Sequence, residues 1–149
     1  MKHIASPALV IVIAVAASQL TMPVSASAGE KLAAATVNVT VNYKGKGTVD
    51  AKHRVWVWLF TSPDIGPGSM PIAETSIDAN GAVATFEGVD AERVWIAAAF
   101  DENGTMSGNA PPPSGSPVGL LIGPDGAPKS VVPGESAVVL TFDDSFRMP

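Results

Sequence analysis

The chain has 149 residues, 9 Lys and Arg against 14 Asp and Glu for a formal net charge of −5, and no cysteine. That length suits one domain, whose core can close without disulfides. The missing cysteine excludes a disulfide-stapled module and a lipid-bearing cysteine anchor.

Lys2 and His3 form a short basic start, and Ile4 to Ala17 is apolar apart from Ser6 and Pro7. The following stretch is small and polar and ends Ser25-Ala26-Ser27-Ala28. Small residues at Ala26 and Ala28 fit a signal peptidase, so a signal peptide over 1–28 and a mature start at Gly29 are predicted. The uninterrupted apolar run, Ala8 to Ala17, is ten residues, whereas a bilayer span takes roughly 20. The expected product is a bacterial secreted or periplasmic protein, with no membrane span after cleavage. After cleavage eight basic residues face fourteen acidic ones, 8 − 14 = −6. Residues 29–54 hold five basic and two acidic residues (+3), and residues 55–149 hold three and twelve (−9). Nucleic acid requires the opposite sign, so it is excluded as a partner. Cationic partners fit better, with simple solubility as the plain alternative.

Downstream, a short flexible segment over 29–35 leads into a single domain over 36–149. Thr36 to Asn42 alternates Val37, Val39 and Val41 with Thr and Asn, the pattern of a half-buried strand. His53 to Phe60 is apolar on both faces and is expected to be central. Met70 to Ile77 reads as a third strand, at an edge because Pro71 cannot donate to a ladder. Asp78-Ala79-Asn80-Gly81 then predicts a tight hairpin. Ala82 to Val89 and Arg93 to Phe100 follow as strands, then a long Gly-, Pro- and Asn-rich loop over 101–117. Val118 to Ile122 and Ser136 to Phe142 complete seven strands. With no helical periodicity in the domain, the prediction is all-β: a seven-stranded antiparallel β-sandwich, prealbumin-like or Ig-like.

Within this pattern Thr75, Asp78, Gly81, Phe86 and Val89 stand as Thr-x-x-Asp-x-x-Gly, then a strand ending Phe-x-x-Val. This resembles transthyretin-like and carboxypeptidase regulatory-like domains, mostly structural or binding modules. The resemblance implies a turn braced by Asp78 and a core position for Phe86. A second stretch, Ala98 to Gly104 followed by Gly115 to Gly119, is similar to uncharacterised bacterial exported β-proteins, which carry no assigned activity. The transthyretin-fold hydrolase that opens hydroxyisourate uses several histidines and a C-terminal Tyr-Arg-Gly-Ser. Here His53 is the only histidine after residue 28 and Arg147 alone survives of that motif.

The chemistry-bearing residues are few. Nucleophilic catalysis needs a base beside Ser, Thr or Cys, and only His53 is available, with no Gly-x-Ser-x-Gly elbow. Nothing singles out a pair of carboxylates for hydrolysis, so a hydrolase is the weakest reading and no enzyme is expected. Asp101, Asn103, Thr105, Ser107 and Asn109 set oxygen side chains at alternate positions, a pattern that suits calcium. If strands alternate direction, Asp143 and Asp144 reach the same pole. The alternative is Asx turns in a solvated loop, which the Gly and Pro content favours. Trp56, Trp58 and Phe60 share one face of their strand, and Trp95, Ala97 and Ala99 share one face of another. Exposed, the tryptophans would form a platform for a carbohydrate or a protein partner. Packed against the alanines, they would fill a core, and large-against-small packing favours that outcome. Ala110-Pro111-Pro112-Pro113 reads as a stiff extended segment. The function predicted is a non-catalytic binding or interaction module without a cofactor, calcium being the alternative.

Overall fold

A computed structural model describes residues 34–149. The predicted signal peptide, its cleavage point and most of segment 29–35 lie outside the described residues. Eight strands follow in order: β1 (Ala35–Tyr43), β2 (Val55–Phe60), β3 (Ala73–Ile77), β4 (Val83–Val89), β5 (Val94–Phe100), β6 (Val118–Leu120), β7 (Ser130–Val131) and β8 (Val138–Phe142). The described residues contain no helix, hence none long and apolar enough to cross a membrane. One sheet has the order β4-β1-β8, and the other β3-β2-β5-β6 with β7 also paired to β5.

Alternation sorts the side chains between the sheets. β1 sends Val37, Val39, Val41 and Tyr43 inward and leaves Asn38, Thr40 and Asn42 on its outer face. From the facing sheet come Val55, Val57 and Leu59 of β2 and Val94, Ile96, Ala98 and Phe100 of β5. Phe86 of β4 and Leu140 and Phe142 of β8 join the same cluster. Two sheets closed over one apolar layer make a β-sandwich. As expected, β2 lies between two neighbours and β3 at an edge.

Three features depart from the sequence reading. The first is β7, two residues paired with Val94 and Trp95, too short to carry any periodicity. The second is the direction of β8, which runs parallel to β1 from Val39↔Val138 to Tyr43↔Phe142. An all-antiparallel arrangement therefore does not hold. β8 arrives by a long crossover from the other sheet, and such a connection permits parallel pairing where a hairpin does not. The third is the turn after β3. No hairpin forms there, because β3 pairs with β2 and β4 pairs with β1 in the opposite sheet.

The geometry of that third turn explains the difference. Gly81 takes a φ of +80°, but among the described residues no non-glycine residue has positive φ, so Asn80 does not adopt the paired left-handed turn of a tight hairpin. Its side chain instead joins the ladder of β1. Asn80 Oδ1 accepts the Tyr43 N–H at 2.8 Å, and Nδ2 donates to the Tyr43 carbonyl at 2.7 Å. The Gly81 N–H donates to Val41 at 2.8 Å. A residue predicted to reverse the chain acts as an extra rung that passes it from one sheet to the other.

The outer faces of the two sheets differ. The outer face of the three-stranded sheet carries Asn38, Thr40 and Thr85 beside the exposed Val83 and Val139, and Thr85 Oγ1 donates to Asn38 Oδ1 at 3.0 Å. The five-stranded sheet instead carries a second apolar cluster on its outer face, made of Trp58, Phe60, Ala97 and Ala99. Trp56, Ile65, Met106, Val118 and Leu120 pack against it. β2 and β5 are thus buried on both faces, which is why neither alternates in polarity.

Candidate functional site: an apolar groove on the outer face of the five-stranded sheet

The floor of the groove is set by cross-strand register. Trp58 of β2 lies opposite Ala97 of β5, and Trp56 opposite Ala99. Each large side chain therefore stands opposite a methyl group on the neighbouring strand, which leaves room for it. On the other side Ala97 and Ala99 pair with Leu120 and Val118 of β6, which extend the apolar floor.

Three segments rise round this floor. Residues 65–71 form one wall, closed on itself where Gly66 N–H donates to Ser69 Oγ at 2.9 Å and Ser69 Oγ donates to the Asp64 carbonyl at 2.9 Å. Residues 108–112 form another, including Pro111 and Pro112 of the predicted stiff segment. Met148 and Pro149 supply the third. They are held by a strand-like exchange: Gly115 N–H to Met148 O at 2.8 Å, Met148 N–H to Ser116 O at 2.9 Å, and Val118 N–H to Phe146 O at 2.9 Å. The enclosed volume is about 720 Å³, within the ordinary size range of small-molecule sites. Among the described residues that line the groove, Glu74 is the only charged side chain.

Gly108 fixes how closely the second wall approaches. A Cβ at this position would lie 2.6 Å from Trp56 Cζ3 and 2.7 Å from the Glu74 carboxyl carbon. The Gly108 carbonyl accepts the Trp58 indole N–H at 3.0 Å, satisfying a polar atom that burial would otherwise strand.

Of the predicted platform residues, Trp58 is 5 % exposed and lines the groove, and Trp56 is half-buried beside it. The Trp56 indole nitrogen is buried without a hydrogen-bond partner among the described residues. Trp95 is half-buried on the same face, paired with Phe60 and Ser130, and does not line the groove. The tryptophans thus belong to a covered layer with a cleft beside it, not to a bare aromatic platform.

The predicted cation ligands do come to one pole but not to one point. Asp101 is 4 % exposed, and its two carboxylate oxygens accept the N–H groups of Thr105 at 3.0 Å and Met106 at 2.9 Å. Asn103 and Thr105 face solvent. Asp143 accepts the Ser145 N–H at 2.8 Å, and bonds from Ser145, side chain and backbone, hold its carboxyl below the usual range. Asp144 accepts the Tyr43 hydroxyl and the Lys46 N–H, which lower its carboxyl likewise, the Tyr43 bond most. Burial, reinforced by Asp144, pushes the Tyr43 hydroxyl up. Arg147 joins the two loops, bonding Glu102 at 3.0 Å and lying 3.7 Å from Asp144. Among the described residues no group of three or more His, Cys, Asp or Glu side chains is placed to hold a metal ion.

His53 sits on the exposed turn before β2, its Nδ1 3.1 Å from Asp50, and does not line the groove. Glu74, Leu120, Val118 and Met148 were not anticipated as site residues. The pairing of β3 and β6 with the central strands brings in the first three, and the exchange with Gly115 and Ser116 brings in Met148; no local spacing announces either. No protein-family model matches the chain, and neither does any curated protein or solved structure.

Proposed function

We propose that this protein is a non-catalytic extracytoplasmic binding module, and that the groove over Trp58 and Phe60 receives an apolar ligand. The observation that carries this reading is a preformed cleft of about 720 Å³ with a Trp, Phe, Ala, Val and Leu floor and a single charged side chain. Such a concave, mostly apolar site with few polar groups is the ordinary form of a small-molecule pocket. A carbohydrate is less well served. Sugar hydroxyls need several directed partners, and burying them unpaired is costly. The basic start, the apolar run Ala8 to Ala17 and the small residues at Ala26 and Ala28 support the extracytoplasmic part of the proposal. The sandwich architecture and the burial of Phe86 are compatible with a transthyretin-like or carboxypeptidase regulatory-like domain, which we retain as the proposed kinship.

The binding reading is tested with a neutral apolar probe. Titration of the protein with 1-decanol below its solubility limit should change tryptophan emission saturably, because Trp58 lies under the ligand. Leu120→Asp places a carboxylate on the floor and should abolish saturation while circular dichroism remains that of the folded protein. A linear, unsaturable response in the wild type refutes the reading.

A further inference from the structure

Resting on that reading of the groove, we infer that its ligand is a small apolar cation, an amine carried on an alkyl or aryl body. The argument turns on Glu74. β3 places it directly opposite Trp58, so both side chains stand on the outer face of the sheet, within the short reach of a cross-strand pair. Its carboxylate also approaches the second wall, where a Cβ on Gly108 would lie 2.9 Å from Glu74 Oε1 and 2.6 Å from the Trp56 ring. The Glu74 carboxylate and the Trp58 indole therefore share one end of a cleft whose other described side chains are uncharged, with Trp56 behind the Gly108 wall.

Among the described residues no basic side chain pairs with that carboxylate. Neither Lys nor Arg is among the described residues that line the groove, and Arg147 is committed to Glu102 and the Gly115 carbonyl. In the open groove water serves the carboxylate. A ligand that fills the cleft strips part of that water away, which disfavours the charged form unless an opposite charge replaces it. A neutral ligand leaves this cost standing, and an anionic one adds repulsion. A cation removes it and also lies beside the Trp58 indole, whose π-system attracts positive charge. The excess of acidic residues over 55–149, three basic against twelve, adds attraction of the same sign at longer range. Selection against anions and neutrals is thus as much a part of the site as the attraction for amines.

Three probes of equal chain length separate the terms: decylamine, 1-decanol and decanoate, each kept below its aggregation limit and read by tryptophan emission or calorimetry. Decylamine should bind about tenfold more tightly than 1-decanol, the combined effect of one partly solvated charge pair and one cation–π contact. Decanoate should bind most weakly of the three. Glu74→Gln should bring decylamine down to the affinity of 1-decanol without loss of alcohol binding, and high salt should narrow the wild-type preference. Saturable binding of 1-decanol with no advantage for decylamine overturns the cation inference and leaves the groove reading intact. An amine preference that survives Glu74→Gln also overturns it, because the charge is then recognised elsewhere. If none of the probes binds, the groove reading itself fails, and the inference falls with it.

Discussion

Tyr43 and Asp144 show how much one side-chain pair settles at the pole where β1, β5 and β8 end. The Tyr43 ring stacks on Phe100 at 4.4 Å between centroids and meets Phe142 at 5.1 Å. Its hydroxyl donates to Asp144, which also accepts the Lys46 N–H. The Asp144 carboxyl is held below its ordinary value, chiefly by the Tyr43 bond. Its contribution is therefore present above the unfolded carboxyl pKa of about 3.9 and lost as pH falls through the lower folded value. The Tyr43 hydroxyl is raised, so its contribution is present below the ordinary value of about 10 and lost as pH rises through the folded one. Tyr43→Phe keeps the stacking but removes the bond. It should lower the melting temperature at neutral pH and reduce the fall in melting temperature between about pH 5 and pH 2. Melting curves across that range read both effects. An acid limb identical to that of the wild type would show that the pair makes no linked contribution.

At the scale of elements, the loop over 101–117 owes its shape to Asp101 more than to its glycines and prolines. A buried carboxylate with both oxygens on backbone N–H groups fixes the first turn, and the wall at Gly108 is set by the chain that follows. Asp101→Asn replaces one acceptor oxygen with a donor facing an N–H and should cost about 1–3 kcal/mol in urea denaturation. Millimolar calcium should not change that difference, since the two oxygens are already occupied by the protein. If the metal-free variant proved as stable as the wild type and the wild type alone gained stability from calcium, Asp101 would be a cation ligand instead. Legibility in the sequence divides along the same line between local and long-range order. The alternation of Val37, Val39 and Val41 announces a half-buried strand by itself, and Val55 to Phe60 announces burial on two faces. The facing of Trp56 and Trp58 with Ala99 and Ala97 is implied by residue size. The partner of β8, the crossing at Asn80 and the entry of Glu74 into the groove depend on which strands meet. Loop closures over many residues decide that, and they leave no local period.

For the molecule as a whole, the two sheets are treated unequally. One outer face stays open to solvent, with Asn38, Thr40 and Thr85 beside Val83 and Val139, while the other is covered by loops that leave a cleft beside Trp58 and Phe60. A sandwich needs only its inner layer to fold. The added apolar layer is thus a feature that stability alone does not demand, and its open cleft is where we propose that a ligand binds. The most direct test is a map of amide and indole resonances of ¹⁵N-labelled protein during titration with 1-decanol. The account predicts shifts at the Trp58 indole N–H, Gly108, Gly119 and Leu120, with Asn38, Thr40 and Thr85 on the opposite face unmoved. Shifts confined to that opposite face, or none at saturating probe, would contradict it.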